Sequence, residues 1–378
     1  MRASPNLGLW FDCSRCELYA QCGGSDTGPC GCIYNGTPRE YDCGNCTLHC
    51  RERRSPSIPG LGSGFQEELR AGRPLDAVIP NGLPAPDLPL LIPTHTDKLD
   101  AGTELDVGWF GIQLLSLLTV RDDGSGRPQA WLTKERLQRA QRVSSSAKPI
   151  VVLHGDDRLL RAFWGIDRPN FYQMLCDVGV EVVTGPTFSV FDDSPRWPAS
   201  TSVMMLLHHN RILEELYRYG FVAAPNIFCR SGLDKRNWIA WLIEHPEVTL
   251  LSRDFSCTPI ASGYLPELRE LTEIIDAVGR QFHILLQGIG IAKAAQTIAT
   301  FESVGATCSL MTGHPHLLGR GGEAITRLQD GLSRRRSLSL SRGELGLQNL
   351  GVFEDWLLER VDGSSLYAGR SWANVPSD

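Results

Sequence analysis

The chain has 378 residues and a formal net charge of −6. A chain of this length buries a large apolar core without disulfide staples, and its negative charge excludes a general electrostatic attraction to nucleic acid, so such binding needs local basic patches. No window reaches the roughly 18 uninterrupted apolar residues of a membrane span, and the first residues lack the apolar region of a signal peptide; the sequence therefore predicts a soluble, cytoplasmic protein with no membrane partner.

The first segment, residues 1–54, is rich in cysteine and poor in apolar periodicity. Its two C-x2-C pairs, Cys13/Cys16 and Cys43/Cys46, have the spacing with which two thiolates reach one metal. In a reducing compartment, such clusters are typical of metal ligands rather than disulfides. The predicted ligands are Cys13, Cys16, Cys22, Cys30, Cys32, Cys43, Cys46 and Cys50. They suffice for two four-cysteine sites or for one site with spare cysteines. An iron–sulfur cluster (4Fe–4S) is favoured over zinc, although both accept this spacing.

A Pro-, Gly- and Ser-rich stretch follows the cysteines, and we place a linker over residues 55–87. The chain also carries two short basic runs. Their simplest interpretation is a solvated face or a flexible tail, and the alternative is contact with nucleic acid or a partner protein. The two runs comprise Arg51, Arg53, Arg54, Arg334, Arg335 and Arg336.

From residue 88 onward, short apolar runs alternate with amphipathic stretches, which predicts βα units around a parallel sheet. Strands are predicted at 88–95, 110–117, 149–155, 180–186, 221–228, 248–255, 282–290 and 306–314. Helices are predicted at 133–143, 202–220, 265–279 and 291–305, with a further helix at 350–361. Eight repeats favour an α/β fold with a closed (βα)8, TIM-like barrel over residues 88–331, followed by a C-terminal helix and tail at 332–378. An open, doubly wound sheet of six strands from 149 to 314 is the alternative.

In both architectures, reactive groups lie at the carboxyl ends of the strands. The polar residues predicted at those ends mix carboxylates and histidines, which suit acid–base chemistry or a divalent metal, with arginines that can bind phosphate. The catalytic or metal-binding candidates are His154, Asp156, Asp193, Asp254 and His314. The substrate-binding candidates are Asn226, Arg230, Arg253, Gln287, His316 and Arg320.

Each of these residues also has a structural interpretation. Asp156 could cap a helix, and Arg253 could form a buried pair with Asp254. The glycines of residues 311–324 form either a phosphate cradle or a tight turn. His208 and His209 lie in mid-helix, where we expect at most one of them to face inward.

Residues 151–242 contain the stretches "HGDDRLLRAFW", "GPTFSVFDDSPRW" and "HHNRILEELYRYGFVAAPNIFC". In these stretches the chain resembles the uncharacterised DUF4417-like family of bacterial and phage proteins. It departs from the family pattern at Thr187, where that pattern has an acidic residue. The resemblance supplies no activity, but the phage setting of the family favours work on nucleic acid. The matching positions are Asp156, Asp157, Arg158, Phe188, Ser189, Asp193, Pro195, Asn210 and Arg211.

The leading hypothesis is a barrel enzyme, a hydrolase or transferase, that carries a metal or iron–sulfur module and acts on a nucleotide or nucleic acid. Two alternatives stay open. One is a non-catalytic subunit that binds nucleic acid or protein within a larger assembly. The other is a redox enzyme that uses an iron–sulfur cluster.

Overall fold

The computed structural model describes residues 33–34, 37–38, 68, 71–100, 103–129, 133–190, 199–229, 231–256, 264–328, 331–337 and 339–361. The chain divides into two compact units. The larger comprises Pro80–Thr187, Leu216–Ile227 and His245–Asp378. The smaller comprises Met1–Ile79, Phe188–Glu215 and Phe228–Glu244. The cysteine ligands predicted at 13–50 and the basic run at 51–54 lie outside the described residues.

The secondary structure of the described residues alternates between strands and helices. The strands are β1 (Ile33–Tyr34), β2 (Thr37–Pro38), β3 (Leu91–Pro93), β4 (Trp109–Gln113), β5 (Leu118–Val120), β6 (Gly126–Pro128), β7 (Lys148–Val152), β8 (Val182–Thr184), β9 (Val222–Ala224), β10 (Leu250–Asp254), β11 (His283–Gln287), β12 (Thr307–Thr312), β13 (Glu323–Leu328) and β14 (Gly331–Arg336). The helices are α1 (Leu114–Leu117), α2 (Lys134–Gln141), α3 (Asp157–Trp164), α4 (Arg168–Asp177), α5 (Ala199–Arg218), α6 (Gly232–Glu244), α7 (Tyr264–Val278), α8 (Ile291–Glu302), α9 (His314–Arg320) and α10 (Arg342–Leu358).

The larger unit contains two four-stranded parallel sheets, with strand orders β4-β7-β8-β9 and β10-β11-β12-β3. A single parallel bridge joins Thr94, just after β3, to Gly111 of β4, and a second joins Asn226, just after β9, to Ser252 of β10. Each of these eight parallel strands overlaps a strand predicted from the sequence, so the α/β class is confirmed. The two strands that the six-strand alternative omits, β3 and β4, are both present.

These strands were predictable because parallel sheets bury both faces, which makes each strand a nearly continuous apolar run. One apolar cluster receives a buried side chain from every one of the eight strands. Its members are Leu88, Ile92, Trp109, Ile150, Val152, Val182, Ala224, Leu250, Leu285 and Met311. The two sheets therefore share one core.

Four predicted helices, now α2, α5, α7 and α8, are confirmed by the structure. The C-terminal helix, α10, begins at Arg342 rather than near residue 350, because Ser341 and Glu344 form a capping box at its start. The antiparallel pair β13–β14 was not predicted: the strand register runs from Glu323↔Arg336 to Leu328↔Gly331, where the sequence suggested the start of a tail.

No helix among the described residues is long and apolar enough to cross a membrane.

In the smaller unit, the interpretation of the tandem histidines was wrong. His208 and His209 are both buried, at 4% and 3% exposure, because α5 is covered on more than one side. The His209 ring packs edge-on against Trp238 with centroids 6.0 Å apart. Burial lowers the pKa of His209 to about 4, despite a hydrogen bond with Asn210, so this ring is neutral at physiological pH.

Gly111 of β4 lies where β3, β4 and β12 approach closely. A Cβ at this position would be 2.6 Å from Thr94 Cγ2 and 2.9 Å from Met311 Cε. Space therefore favours glycine here, since an added methyl group must displace the side chains of Thr94 and Met311 in a close-packed interior.

We expect Gly111→Ala to lower the free energy of unfolding by about 1–3 kcal/mol, the usual cost of overpacking a core. The measurement is urea denaturation followed by circular dichroism. Gly351→Ala is the matched control, because a Cβ there meets no atom within 4 Å and Gly351 lies inside a helix, where alanine stabilises by about 0.5–1 kcal/mol. An unchanged midpoint for Gly111→Ala would contradict the close approach.

Candidate active site

Polar side chains from the larger unit gather where the parallel strands end. Asp254 is the last residue of β10, and His154 follows β7 by two residues. The two strands belong to different sheets and lie about a hundred positions apart in the chain. The carboxyl ends of parallel strands are the usual location of reactive groups in α/β proteins.

The imidazole of His154, which is partly exposed, pairs with the buried carboxylate of Asp254. Nδ1 of His154 contacts Oδ2 of Asp254, and the two side chains are 22% and 4% exposed. Thr187 Oγ1 lies 3.2 Å from the same nitrogen. Among the described residues, no group hydrogen-bonds Nε2. With its proton on Nδ1, beside the Asp254 carboxylate, the neutral ring carries its lone pair on Nε2.

Ser256 fixes the carboxylate of Asp254 from the opposite side. The backbone N–H of Ser256 donates to Oδ1 at 2.7 Å, and its hydroxyl donates to the same oxygen. Oδ1 is therefore engaged by Ser256, which leaves Oδ2 for His154. A carboxylate held in this way sets both the tautomer and the orientation of its histidine partner.

Each member of the pair shifts the pKa of the other. Burial alone would lower the pKa of His154, but the hydrogen bond and charge of Asp254, with a smaller contribution from Asp156, raise it above its ordinary value. Burial would raise the pKa of Asp254, yet His154 and then Ser256 hold it below its ordinary value. The pair is therefore set up as an imidazole that accepts a proton readily beside a carboxylate that stays ionised.

Several other predicted residues have structural partners. Asp156 caps α3 by accepting a hydrogen bond from the backbone N–H of Leu159 at 2.8 Å. Arg253 is buried; it donates to the carbonyl of Ile227 and forms an ion pair with Glu267. The alternative in which Arg253 forms a buried pair with Asp254 is therefore wrong, because each of them has a different partner.

The residues after β12 separate into two environments. His314, the first residue of α9, has its Nε2 3.2 Å from a guanidinium nitrogen of Arg334. Burial and the charge of Arg334 lower the pKa of His314, against an opposing effect of Glu323. His316 is buried at 2% exposure, and Gly346 of α10 lies so near that a Cβ there would be 2.9 Å from its Nδ1. His316 thus packs between two helices, whereas Arg320 is exposed at the last position of α9.

Two substrate-binding candidates, Asn226 and Gln287, are buried at strand ends, at 2% and 7% exposure. Asp193 and Arg230 lie outside the described residues. In the part of the chain that the structure describes, no group of three or more His, Cys, Asp or Glu side chains is arranged to hold a metal ion.

Sequence reasoning missed the residues that orient the pair. In the family pattern, an acidic residue stands at the position of Thr187. Here the Thr187 hydroxyl accepts from the backbone N–H of Gly155 at 3.4 Å and also contacts Nδ1 of His154. Ser256 carried a signal, since a serine two residues after an aspartate often closes an Asx turn. A further contact joins two other strand ends, where Gln113 Nε2 lies 3.0 Å from Nε2 of His95.

A separate pocket of the larger unit lies at the amino ends of β9 and β10, away from His154. It is lined in part by Asn81, Val222 and Leu250. Asn81 Nδ2 donates to the carbonyls of Tyr217 and Phe221, both at 2.9 Å. These contacts fix the segment that precedes β3 against the chain around β9, so we assign this end of the strands to stability.

Neither a protein-family model nor a curated protein matches the chain. The resemblance to the DUF4417-like family stays a prediction that depends on the residues quoted above.

We expect Asp254→Asn to lower the pKa of His154 below that of a free histidine. The substitution removes the negative charge that raises this pKa, while the burial that lowers it remains. The measurement is the imidazole chemical shift of His154 against pH, with its signal assigned by its absence in His154→Gln.

Glu267→Gln is the control, because it removes a carboxylate that pairs with neighbouring Arg253 and not with His154. The His154 titration in this variant should match the wild type. A titration midpoint that does not move in Asp254→Asn would rule out the pair as the cause of the raised pKa.

Proposed function

We propose that the two parallel sheets close into a (βα)8 barrel. The edge strands of one sheet are β4 and β9, and those of the other are β3 and β10. The single bridge Thr94↔Gly111 joins the β3 edge to the β4 edge, and Asn226↔Ser252 joins the β9 edge to the β10 edge. The apolar cluster that receives a side chain from all eight strands supports the same closure, since barrel interiors are filled in this way.

We propose that the protein is an enzyme that uses His154 as a general base and acid at the mouth of this barrel. The observation that carries the proposal is the His154–Asp254 pair at the carboxyl ends of two strands, with Nε2 directed away from the carboxylate. In this mechanism, Nε2 takes a proton from the attacking group, which is water in hydrolysis or an acceptor hydroxyl in transfer. The oxygen of that group forms a bond to the substrate as the bond to the leaving group breaks. Asp254 stabilises the imidazolium that forms, and the proton then passes to the leaving group.

We propose a nucleotide or nucleic acid as the substrate, and hydrolysis or transfer as the reaction. The position of Arg334 supports an anionic substrate. Arg334 contacts His314, just after the end of β12, and so places a positive charge at the same end of the strands as His154. The lowered pKa of His314 keeps that neighbour neutral. Arginine binds phosphate oxygens through its planar fork of N–H donors.

The test is turnover of a panel of nucleoside phosphates and a labelled single-stranded oligonucleotide, with the products separated by chromatography and identified by mass. We expect His154→Gln to lower kcat by about 10²–10⁴-fold, the usual contribution of a general base. Asp254→Asn should also lower kcat, since the ring loses the partner that sets its tautomer.

His245→Gln is the matched control for this experiment. It removes an imidazole that contacts Glu247 before the amino end of β10, and it should leave kcat unchanged. Wild-type turnover in folded His154→Gln protein would refute the catalytic role of the pair.

We also propose that the N-terminal cysteines bind an iron–sulfur cluster, on the strength of their paired spacing in the sequence. Protein purified without oxygen should be brown and contain iron. Cys13→Ser/Cys16→Ser should lose that iron, since it removes one of the two C-x2-C pairs.

Cys176→Ser is the control, because Cys176 is an exposed free cysteine in the larger unit and its loss should leave the iron content unchanged. Colourless protein with bound zinc would overturn the assignment to iron. Protein free of both metals would overturn the metal site itself.

A further inference from the structure

The hairpin β13–β14 divides its three consecutive arginines between two faces. Arg334 stands opposite Ile325 and Arg336 opposite Glu323, whereas Arg335 stands opposite Ala324. Directly opposed residues share a face, and neighbouring residues of a strand alternate between faces. Arg334 and Arg336 therefore lie on the face of Ile325, which is 2% exposed. We call this pair of residues the arginine face.

Neither arginine of this face forms an ion pair within the described part of the chain. Arg334 contacts His314, an uncharged partner at neutral pH, and Arg336 forms no ion pair there. The far end of the hairpin differs, since Arg327 pairs with Asp355 at 3.4 Å and also with Glu359. Glu323 stands opposite Arg336 and offsets part of its positive charge. Exposed Arg320, at the end of α9, adds a further positive charge.

The hairpin is held rigidly beside α9. Asn349 of α10 is wholly buried; its Oδ1 accepts from the backbone N–H of Ile325 at 2.6 Å, and its Nδ2 donates to the carbonyls of Glu323 at 2.8 Å and Pro315 at 3.0 Å. A binding surface that is fixed before the ligand arrives loses little conformational entropy on binding.

The strand register connects this surface to the catalytic pair. Asp254 lies beside Gln287, and Gln287 lies beside Met311, so two inter-strand steps of about 4.8 Å each lead from Asp254 to β12. Three residues after Met311, His314 meets Arg334. The arginine face thus stands at the same end of the strands as Asp254.

We propose that the arginine face binds the phosphate backbone of a single-stranded nucleic acid and holds it against the strand ends that carry His154. Arg334 and Arg336 are about 7 Å apart along an extended strand, a separation that successive phosphates of an extended nucleic-acid strand match. A single strand is favoured over a duplex because its bases are free to enter an active site. This inference depends on the proposed function for the location of the chemistry, but the binding itself does not require turnover.

The test is fluorescence anisotropy with a labelled oligothymidine strand, on full-length protein that carries His154→Gln so that the strand is not consumed. We expect Arg334→Ala/Arg336→Ala to weaken binding at least tenfold at about 50 mM salt. The dependence of log K on log salt should become shallower by about 1.4, since each phosphate contact on a single strand contributes about 0.7.

Arg335→Ala is the matched control, because it removes the same charge from the same strand on the opposite face. Its affinity and salt dependence should stay close to those of the parent protein. If Arg335→Ala lost as much affinity as each of the single variants Arg334→Ala and Arg336→Ala, the proposal would be overturned, because the hairpin would then bind through its total positive charge and not through one face. Absence of binding by the parent protein, or equally tight binding of a nucleoside monophosphate, would also overturn it.

The outcomes separate the two proposals. Binding that requires Arg334 and Arg336, with no product formed by wild-type protein, would support the binding surface and contradict the proposed catalysis. Turnover that depends on His154 but not on Arg334 or Arg336 would support the catalysis and contradict this surface.

Discussion

The contact between His154 and Asp254 joins strand ends from two different sheets, and the candidate site depends on it. The contact forms because β7 and β10 present their carboxyl ends at the same side of one apolar core. A shift of either sheet by one residue would move its side chains to the opposite face and separate the pair. The shared core therefore does more than stabilise the unit, because it holds β7 and β10 where the imidazole and the carboxylate meet.

The polar groups at the strand ends have two kinds of role. Arg253 and His316 are buried with protein partners or packed between helices, so their polar atoms contribute to the architecture. His154 has its Nδ1 engaged and its Nε2 directed elsewhere, and Arg334 has a neutral neighbour instead of a carboxylate. This division makes His154 and Arg334 stronger functional candidates than Arg253, although all three lie near strand ends.

The sequence was informative wherever one local pattern decided the structure. Eight apolar runs located eight strands, because burial on both faces leaves little room for polar residues. Capping chemistry explains two further cases: Asp156 caps the start of α3, and the capping box of Ser341 and Glu344 sets the start of α10. His208 and His209 escaped prediction because the rule of one buried face fails for a helix that is covered on more than one side.

The site was predictable in its members but not in their pairing. His154 and Asp254 were both expected at strand ends, yet β7 and β10 lie far apart in sequence, and only tertiary structure brings them together. Ser256 and Thr187 act through hydrogen bonds to this pair, and neither residue type is itself a marker of catalysis. In the sequence, the three consecutive arginines at 334–336 formed a single basic run. The alternation of side chains along β14 assigns them to two faces of the hairpin.

The amide of Asn349, on α10, links this helix to β13 and to the first turn of α9 through three hydrogen bonds. Loss of this amide would leave three backbone groups without that partner, the N–H of Ile325 and the carbonyls of Glu323 and Pro315. We therefore expect the hairpin to open together with α9 and α10 as one cooperative unit. Hydrogen exchange of the Ile325 amide reports the free energy of that common opening.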